Sequence, residues 1–519
     1  MRTTILVGLL VLFLFDINAQ HNITDSLEKA ISTSSPDELQ QIYFQLSEEF
    51  KKTDLIKAKF YSQKAISASE DDNKMLGLAY FSMATIYGIQ HKQDTVIFYM
   101  KKALNCFDAT NDSTLDASIP DMIFSSLSYF DNQFKIESLN KFAQRYFYNK
   151  PYLSRIICSK SLEFALDENK PDLLADTYKM LGFINKTLGN LNKALEYDNE
   201  AYKLYIELND SLNIGFTLNL IAVVRNMKGE NDIALSRFMD AEKYLLALYK
   251  NDTHNKSVIN RLSILYTNIG LLYSFQLMNY KEAEKYFNKV IDYAEQTNDT
   301  VRINASLANL GHVYLETKDY KKALNYFKQA LDIATHTKNF YFAARITHNI
   351  GKLYEKQEEF ENSREYYRIA LDMMKRLNDQ FGICRTNRII GESYLKQKKA
   401  KPALDHFYPA LNFAVKSNSE DEIKMIYFDL SKIYEIDSNI DSAYHYFKLY
   451  TDVNNEINNE QSRKRFEELQ VKYESEKKEK ENKFLREETQ IQERLKYYLF
   501  FIISALLILS VLLISEQLT

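Results

Sequence analysis

The chain has 519 residues, with 66 Lys and Arg against 70 Asp and Glu, for a net charge of −4. So small a charge over this length gives no support to a nucleic-acid-binding surface, and no nucleic acid is expected as a partner. With 12 Gly and 6 Pro against 37 Tyr, the composition suits long packed helices, and a chain this long needs no single large core if it is built from repeats that each touch their neighbours.

Met1-Arg2, the apolar run Ile5 to Phe15 and then Ile17-Asn18-Ala19 have the layout of a secretory signal peptide. Cleavage after Ala19 would remove residues 1–19 and leave Gln20 first; the alternative is an uncleaved anchor, for which the run is short. No Cys lies near that point, which argues against a lipoprotein. Over residues 20–107 small residues recur weakly, around Ala58 and Ala65 and around Ala84, Tyr87 and Ala103, so degenerate helical hairpins are expected. Residues 108–168 fit the pattern poorly, with Pro120 and Pro151 as breakers, and read as irregular hairpins.

Residues 169–454 carry the full pattern. Gly311, Tyr314, Ala323, Phe327 and Ala330 are repeated forty residues on as Gly351, Tyr354, Ser363, Tyr367 and Ala370, and again as Gly391, Tyr394, Ala403, Phe407 and Ala410. The frame continues to Ser431, Tyr434, Ala443, Phe447 and Tyr450, and upstream through Gly270, Ala222 and Gly182. Apolar residues at three- and four-residue steps make each unit two amphipathic helices. A glycine inside a helix costs roughly 1 kcal/mol relative to alanine, so its recurrence at one phase calls for a packing reason. The expected reason is that the two helix backbones approach closely there, with the aromatics beside the crossing. Tyr249 to Ser257 is an insertion expected to lengthen one connection.

The small–Tyr–Ala–aromatic–Ala order resembles the tetratricopeptide repeat over most of residues 40–450. Its forty-residue spacing and missing terminal proline are similar to the long-helix subclass found in kinesin light chains and related peptide-binding scaffolds. The resemblance implies an all-α superhelical solenoid whose first helices line a concave groove. It also implies that Asn268, Asn309 and Asn349, each two residues before a glycine, form a ladder of amides on that face. A side-chain amide donates and accepts, so it can bond a peptide group without reading its side chain. The alternative is that these asparagines bond neighbouring helices. His312, Arg345, His348, Lys352, Arg385 and Arg388 fall on the same inner positions and make that end basic, while Phe183, Phe216, Val223, Leu271 and Phe275 make the earlier end apolar. A peptide or protein ligand with an apolar and an acidic portion would suit both.

Residues 455–496 lose the repeat and become rich in Glu, Lys, Arg and Gln. Phe466, Leu469 and Tyr473 mark a helical seam that Phe484, Ile491 and Leu495 continue in shifted phase, with Glu476 and Lys480 interrupting it. Two readings stay open: a coiled-coil homodimer, and a solvated single helix held by Glu–Lys pairs. Residues 497–514 carry no charge and are long enough, at about 1.5 Å per residue, to span most of a bilayer core. They read as a transmembrane helix with a tail at 515–519 and with Tyr497 and Tyr498 at the interface. Together with the signal peptide this predicts a single-pass inner-membrane protein with periplasmic repeats. Arg494 and Lys496, with no Lys or Arg after the span, favour the opposite topology, cytoplasmic repeats on a tail anchor.

This order looks like the sensory half of bacterial envelope regulators, in which the membrane helix leads to a histidine kinase or helix-turn-helix domain. Neither is recognisable in the sequence, so the signalling output is expected in another chain or in a lost domain. Cys106, Cys158 and Cys384 have no metal-like spacing and read as buried thiols, with a Cys106–Cys158 disulfide as the alternative. The histidines form no ligand pair and the glycines no phosphate-cradling loop, so neither a metal, a cofactor nor an enzyme is expected. Two functions remain: the sensing part of an envelope signalling system, and a structural scaffold for an envelope complex.

Overall fold

The computed structural model describes residues 23–453, save 111, 169 and 418, together with 483 and 491. The signal-peptide reading, the connector save those two positions, and the apolar stretch 497–514 lie outside the described residues. Among those described every regular element is a helix, and no helix is long and apolar enough to cross a membrane. The chain divides into two compact units, Met1–Thr297 and Asn298–Thr519.

Unit 1 opens with α1 (residues 23–30), followed by α2 (Pro36–Phe50), α3 (Leu55–Ala68), α4 (Asn73–Ile89) and α5 (Gln93–Ala109). After a short 3-10 turn come α6 (Ile119–Leu127), α7 (Asn132–Tyr146), α8 (Pro151–Asp167), α9 (Pro171–Thr187) and α10 (Leu191–Glu207). The unit ends with α11 (Ser211–Met227), α12 (Asn231–Asn251), α13 (Lys256–Leu271) and α14 (Tyr280–Gln296). Pro120 and Pro151 do break the chain, but at the first turns of α6 and α8, where a missing N–H costs nothing. The insertion near Tyr249 is absorbed partly within α12, which runs 21 residues instead of the usual 17. Gly270 to Ala283 is one residue longer than Gly311 to Ala323, and a π-helical turn at Leu272–Gln276 takes up the extra residue.

Unit 2 is more regular. Its helices α15 (Thr300–Glu316), α16 (Tyr320–His336), α17 (Phe340–Lys356), α18 (Phe360–Arg376), α19 (Gln380–Lys396), α20 (Ala400–Lys416), α21 (Glu420–Ile436) and α22 (Ile440–Val453) start every twenty residues. One turn design explains this regularity. Lys318 takes the left-handed conformation (φ 63°), its N–H donates to the Leu315 carbonyl at 3.2 Å, and Asp319 N–H donates to the Tyr314 carbonyl at 2.9 Å. The Asp319 carboxylate then accepts from Lys322 N–H at 3.1 Å, so one residue ends a helix and caps the next. Lys338, Glu358, Asn378, Lys398 and Ser438 repeat the positive φ at the same step, with Asn339 and Asp379 repeating the cap.

Between paired helices the small residue and the aromatic of the pattern meet. A Cβ on Gly311 would lie 2.5 Å from Phe327 Cε1, on Gly391 2.7 Å from Phe407 Cε1, and on Gly270 2.7 Å from Phe287 Cε1. At these three glycines the space is therefore filled by the ring itself rather than by a close backbone crossing, which corrects the expectation there; at Gly351 the backbone also approaches, with the Ser363 carbonyl oxygen 3.2 Å from where a Cβ would stand. Phe327, Phe407 and Phe287 are fully buried on this seat, with Ala330, Ala410 and Val290 beneath them. Gly182 is the exception: Asp198 stands where the ring should be, buried, with its Oδ1 making no hydrogen bond among the described residues.

In unit 1 the first helices of consecutive hairpins touch one another, α9 with α11 and α11 with α13, and in unit 2 α15 meets α17 and α19 meets α21. No two second helices make a comparable contact among the described residues. Within each unit the first helices thus form the inner side.

Candidate functional site

The inner face of unit 2 is ordered in rows, because each position recurs at the forty-residue step on a first helix. The outermost row is apolar and open to solvent: Val301, Tyr341 and Phe381 are 55%, 51% and 52% exposed. One helical turn along stand Arg345 and Arg385, both exposed and without an ion pair among the described residues. The Arg345 guanidinium lies 5.6 Å from the Phe342 ring centroid, which restrains it without neutralising it.

The third row holds Asn309 and Asn349, half-buried, whose amides make no hydrogen bond to a described residue. Beside Asn349, His348 packs its ring 5.0 Å from that of Tyr367, with a buried Nδ1 that has no hydrogen-bond partner. Burial, followed by the nearby Arg385, Lys352 and Arg388, lowers His348 to about 4, so it is a neutral group at physiological pH. His312 is also lowered, by burial first and then by Lys352, and its Nε2 lies 3.8 Å from Glu316 Oε1.

The last row neutralises itself. Lys352 and Lys356 sit 3.8 and 3.6 Å from the Glu316 carboxylate, and Lys396 pairs with Glu355. Arg388 is not available to a ligand either: it is buried, donates from Nε to Glu422 at 3.0 Å and pairs with Glu392, with Asp429 3.9 Å away. Burial and the Glu392 charge raise the Asp429 carboxyl against the pull of Arg388. Of the basic residues expected on this face, Arg345 and Arg385 alone are both exposed and unpaired among the described residues.

Asn268 belongs to unit 1 and behaves differently. Its Nδ2 donates to the Asn219 Oδ1 of α11 at 2.9 Å, so it bonds a neighbouring helix. The apolar end in unit 1 is a cleft of about 580 Å³ on α7, α9, α11 and α13, with Phe147, Met180, Phe183, Phe216 and Leu220 in its walls. Phe183 and Phe216 line it as expected, whereas Val223, Leu271 and Phe275 do not. The Arg261 guanidinium stacks 3.5 Å from the Phe216 ring centroid, and Lys179 donates to Asp176 at 2.6 Å and to the Tyr205 hydroxyl at 2.8 Å.

Sequence reasoning missed two parts of these faces. The apolar row of Val301, Tyr341 and Phe381 could have been found as apolar residues recurring at forty-residue spacing where the helix is otherwise polar. The contribution of α7, through Asn140 and Phe147, lay in the stretch whose pattern is broken. Cys158 and Cys384 are buried, Cys106 is half-buried, and all three are free thiols. Among the described residues no group of three or more His, Cys, Asp or Glu is placed to hold a metal ion.

The chain is similar to several solved helical proteins. These include the apo form of RapI (12% identity, 74% of this chain and 98% of that one, TM-score 0.48) and aspartyl phosphate phosphatase F from Bacillus subtilis (14%, 73% and 94%, TM-score 0.43). Yeast Tom70 is a third (16%, 89% and 94%, TM-score 0.42). No curated protein sequence matches it. Models of the tetratricopeptide repeat match residues 261–336 and 344–373, so these stretches of the array are tetratricopeptide repeats.

Proposed function

We propose that the chain binds a peptide or protein partner on the inner faces of its hairpins and performs no catalysis. One observation carries this reading: Asn309 and Asn349, at equivalent positions of neighbouring first helices, present amides that bond no described residue, beside two guanidiniums with no ion pair among those residues. A bound peptide group supplies both the donor and the acceptor that a side-chain amide can use. The exposed apolar row next to them offers side-chain contacts, and in unit 1 the aromatic cleft offers an anchor for an apolar group. Asn268 takes no part, since its amide is already bonded.

Pull-down with the full chain identifies the partner, and its affinity for the Asn309→Ala/Asn349→Ala double variant then tests the reading. Losing two amide contacts should weaken binding roughly five- to 150-fold, at about 0.5–1.5 kcal/mol each, with helicity by circular dichroism unchanged. Unchanged affinity would remove the ladder.

The finer reading is a membrane-anchored periplasmic sensor, supported by the signal-like residues 1–19 and the uncharged stretch 497–514. A scaffold for an envelope complex is the second reading. A partner bound constitutively and stoichiometrically favours the scaffold, and one bound conditionally favours sensing. Repeats that survive protease added to spheroplasts would overturn the periplasmic placement.

A further inference from the structure

The outer side of unit 1 carries a pattern that peptide binding does not use. In α3 and α5, the second helices of consecutive hairpins, Phe60 and Phe98 occupy the same phase, two residues after the fully buried Ala58 and Val96. Each is 51% exposed, and each is followed four residues later by a lysine. The Lys64 ammonium lies 5.7 Å from the Phe60 ring centroid and that of Lys102 4.8 Å from the Phe98 centroid. Ile56, one turn before Phe60, is 84% exposed. In α8 the exposed Ile156 stands two residues after the buried Ser154, again with a lysine, Lys160, four residues on.

Single exposed apolar residues are ordinary, but recurrence at one phase is not. The pattern also stops: α10 has Glu196 and Glu200 at these positions, and α12 has Ser236 and Asp240. It is therefore a property of the first part of unit 1 and not of the repeat. On α3 Lys57 pairs with Glu28 at 3.9 Å and Lys59 turns its ammonium to the Tyr87 ring, but Lys64, like Lys102 on α5, is exposed and makes no ion pair among the described residues. Against these two cations α5 places an exposed acid, Asp94, where α3 has Ile56. A second copy of the same face would set lysine against lysine. Large apolar side chains alternating with ammonium groups on flexible stems instead match the boundary of a bilayer whose headgroups are anionic, where rings enter the interface and ammoniums reach the phosphates.

We propose that the outer face of α3 and α5, with Ile56, Phe60 and Phe98 as its apolar contacts and Lys64 and Lys102 as its cations, docks on an anionic lipid bilayer. This surface is independent of the inner faces, so its failure would leave the binding of a peptide or protein partner untouched.

The sequence has no Trp, which makes a single-tryptophan reporter unambiguous. The full chain carrying Phe98→Trp is reconstituted into vesicles of pure phosphatidylcholine or of phosphatidylcholine with phosphatidylglycerol. Phe60→Trp serves as a second reporter, with helicity checked by circular dichroism. Emission should move to the blue and be quenched by brominated lipid in the anionic vesicles alone. Adding Lys64→Gln and Lys102→Gln should lower the docked-to-undocked ratio roughly thirtyfold, at about 1 kcal/mol per cation. About 1 M salt should have the same effect. Equal quenching in both compositions, no quenching in either, or a shift that follows protein concentration and not lipid would each overturn the proposal.

Discussion

The seat of the Phe327 ring on Gly311 makes a prediction whose sign is set by two opposed terms. Replacing Gly311 by Ala should stabilise α15 by roughly 1 kcal/mol through helix propensity alone. The added methyl, however, would lie 2.5 Å from Phe327 Cε1 and 2.6 Å from Cδ1, with the ring itself fully buried. Neither helix can yield without disturbing the next hairpin, and overpacking of this kind costs roughly 1–3 kcal/mol. The net effect should be a loss of about 1 kcal/mol. Shrinking the ring removes the clash, so Gly311→Ala in a Phe327→Leu background should stabilise the hairpin, with a coupling of roughly 1–3 kcal/mol between the two sites. Because repeat arrays do not unfold in one step, the assay is amide hydrogen exchange by mass spectrometry, resolved to α15 and α16, in the wild type, both single variants and the double. If Gly311→Ala stabilises equally in both backgrounds, the ring is not what reserves this position for glycine.

Two further outcomes follow from the same packing. Burial raises the Asp198 carboxyl well above its ordinary 3.8, with Lys186 pulling weakly the other way. A carboxyl raised in the folded state favours folding fully below its unfolded value, and that contribution is lost as pH rises toward the folded value. Asp198→Asn should therefore raise the hydrogen-exchange protection of α9 and α10 more at pH 7 than at pH 4, and an equal gain at both would refute the assignment. At the turns, Lys318→Gly should relieve the left-handed strain (φ 63°) and stabilise the flanking α15 and α16 by about 0.5–1 kcal/mol in hydrogen exchange, whereas Gly189→Ala (φ 76°) should destabilise α9 and α10 by a similar amount. A loss at Lys318→Gly would mean that its side chain matters more than its backbone.

The helical hairpins were legible because their periodicity is local: Gly311, Tyr314 and Phe327 sit on one stripe whatever surrounds them. The turns were less so, since left-handed positions filled by Lys318, Lys338 and Glu358 lack the glycine that normally announces them. The groove was legible in part. Phase alone placed Asn309, Asn349, Arg345 and Arg385 on one face of unit 2. What phase could not convey was pairing between helices. Arg388 reads as a groove cation, yet Glu422 and Asp429, more than thirty residues on, meet it and bury it. Asn268 shares the ladder position, yet Asn219 takes up its amide across a separation of 49 residues, longer than the regular step because α12 is longer. Asp198 is the reverse case, a polar residue at an aromatic position that no helical pattern explains.

The most direct test of the central claim is site-specific photocrosslinking in cells, with benzoylphenylalanine placed at the exposed Tyr341 on the inner face or at Gln329 on the exposed outer side of α16. A partner captured from Tyr341 and not from Gln329, and captured less when Asn309→Ala and Asn349→Ala are added, is the predicted result. Capture from Gln329 alone, or capture from Tyr341 that ignores both asparagines, would contradict a binding site on the inner face of unit 2.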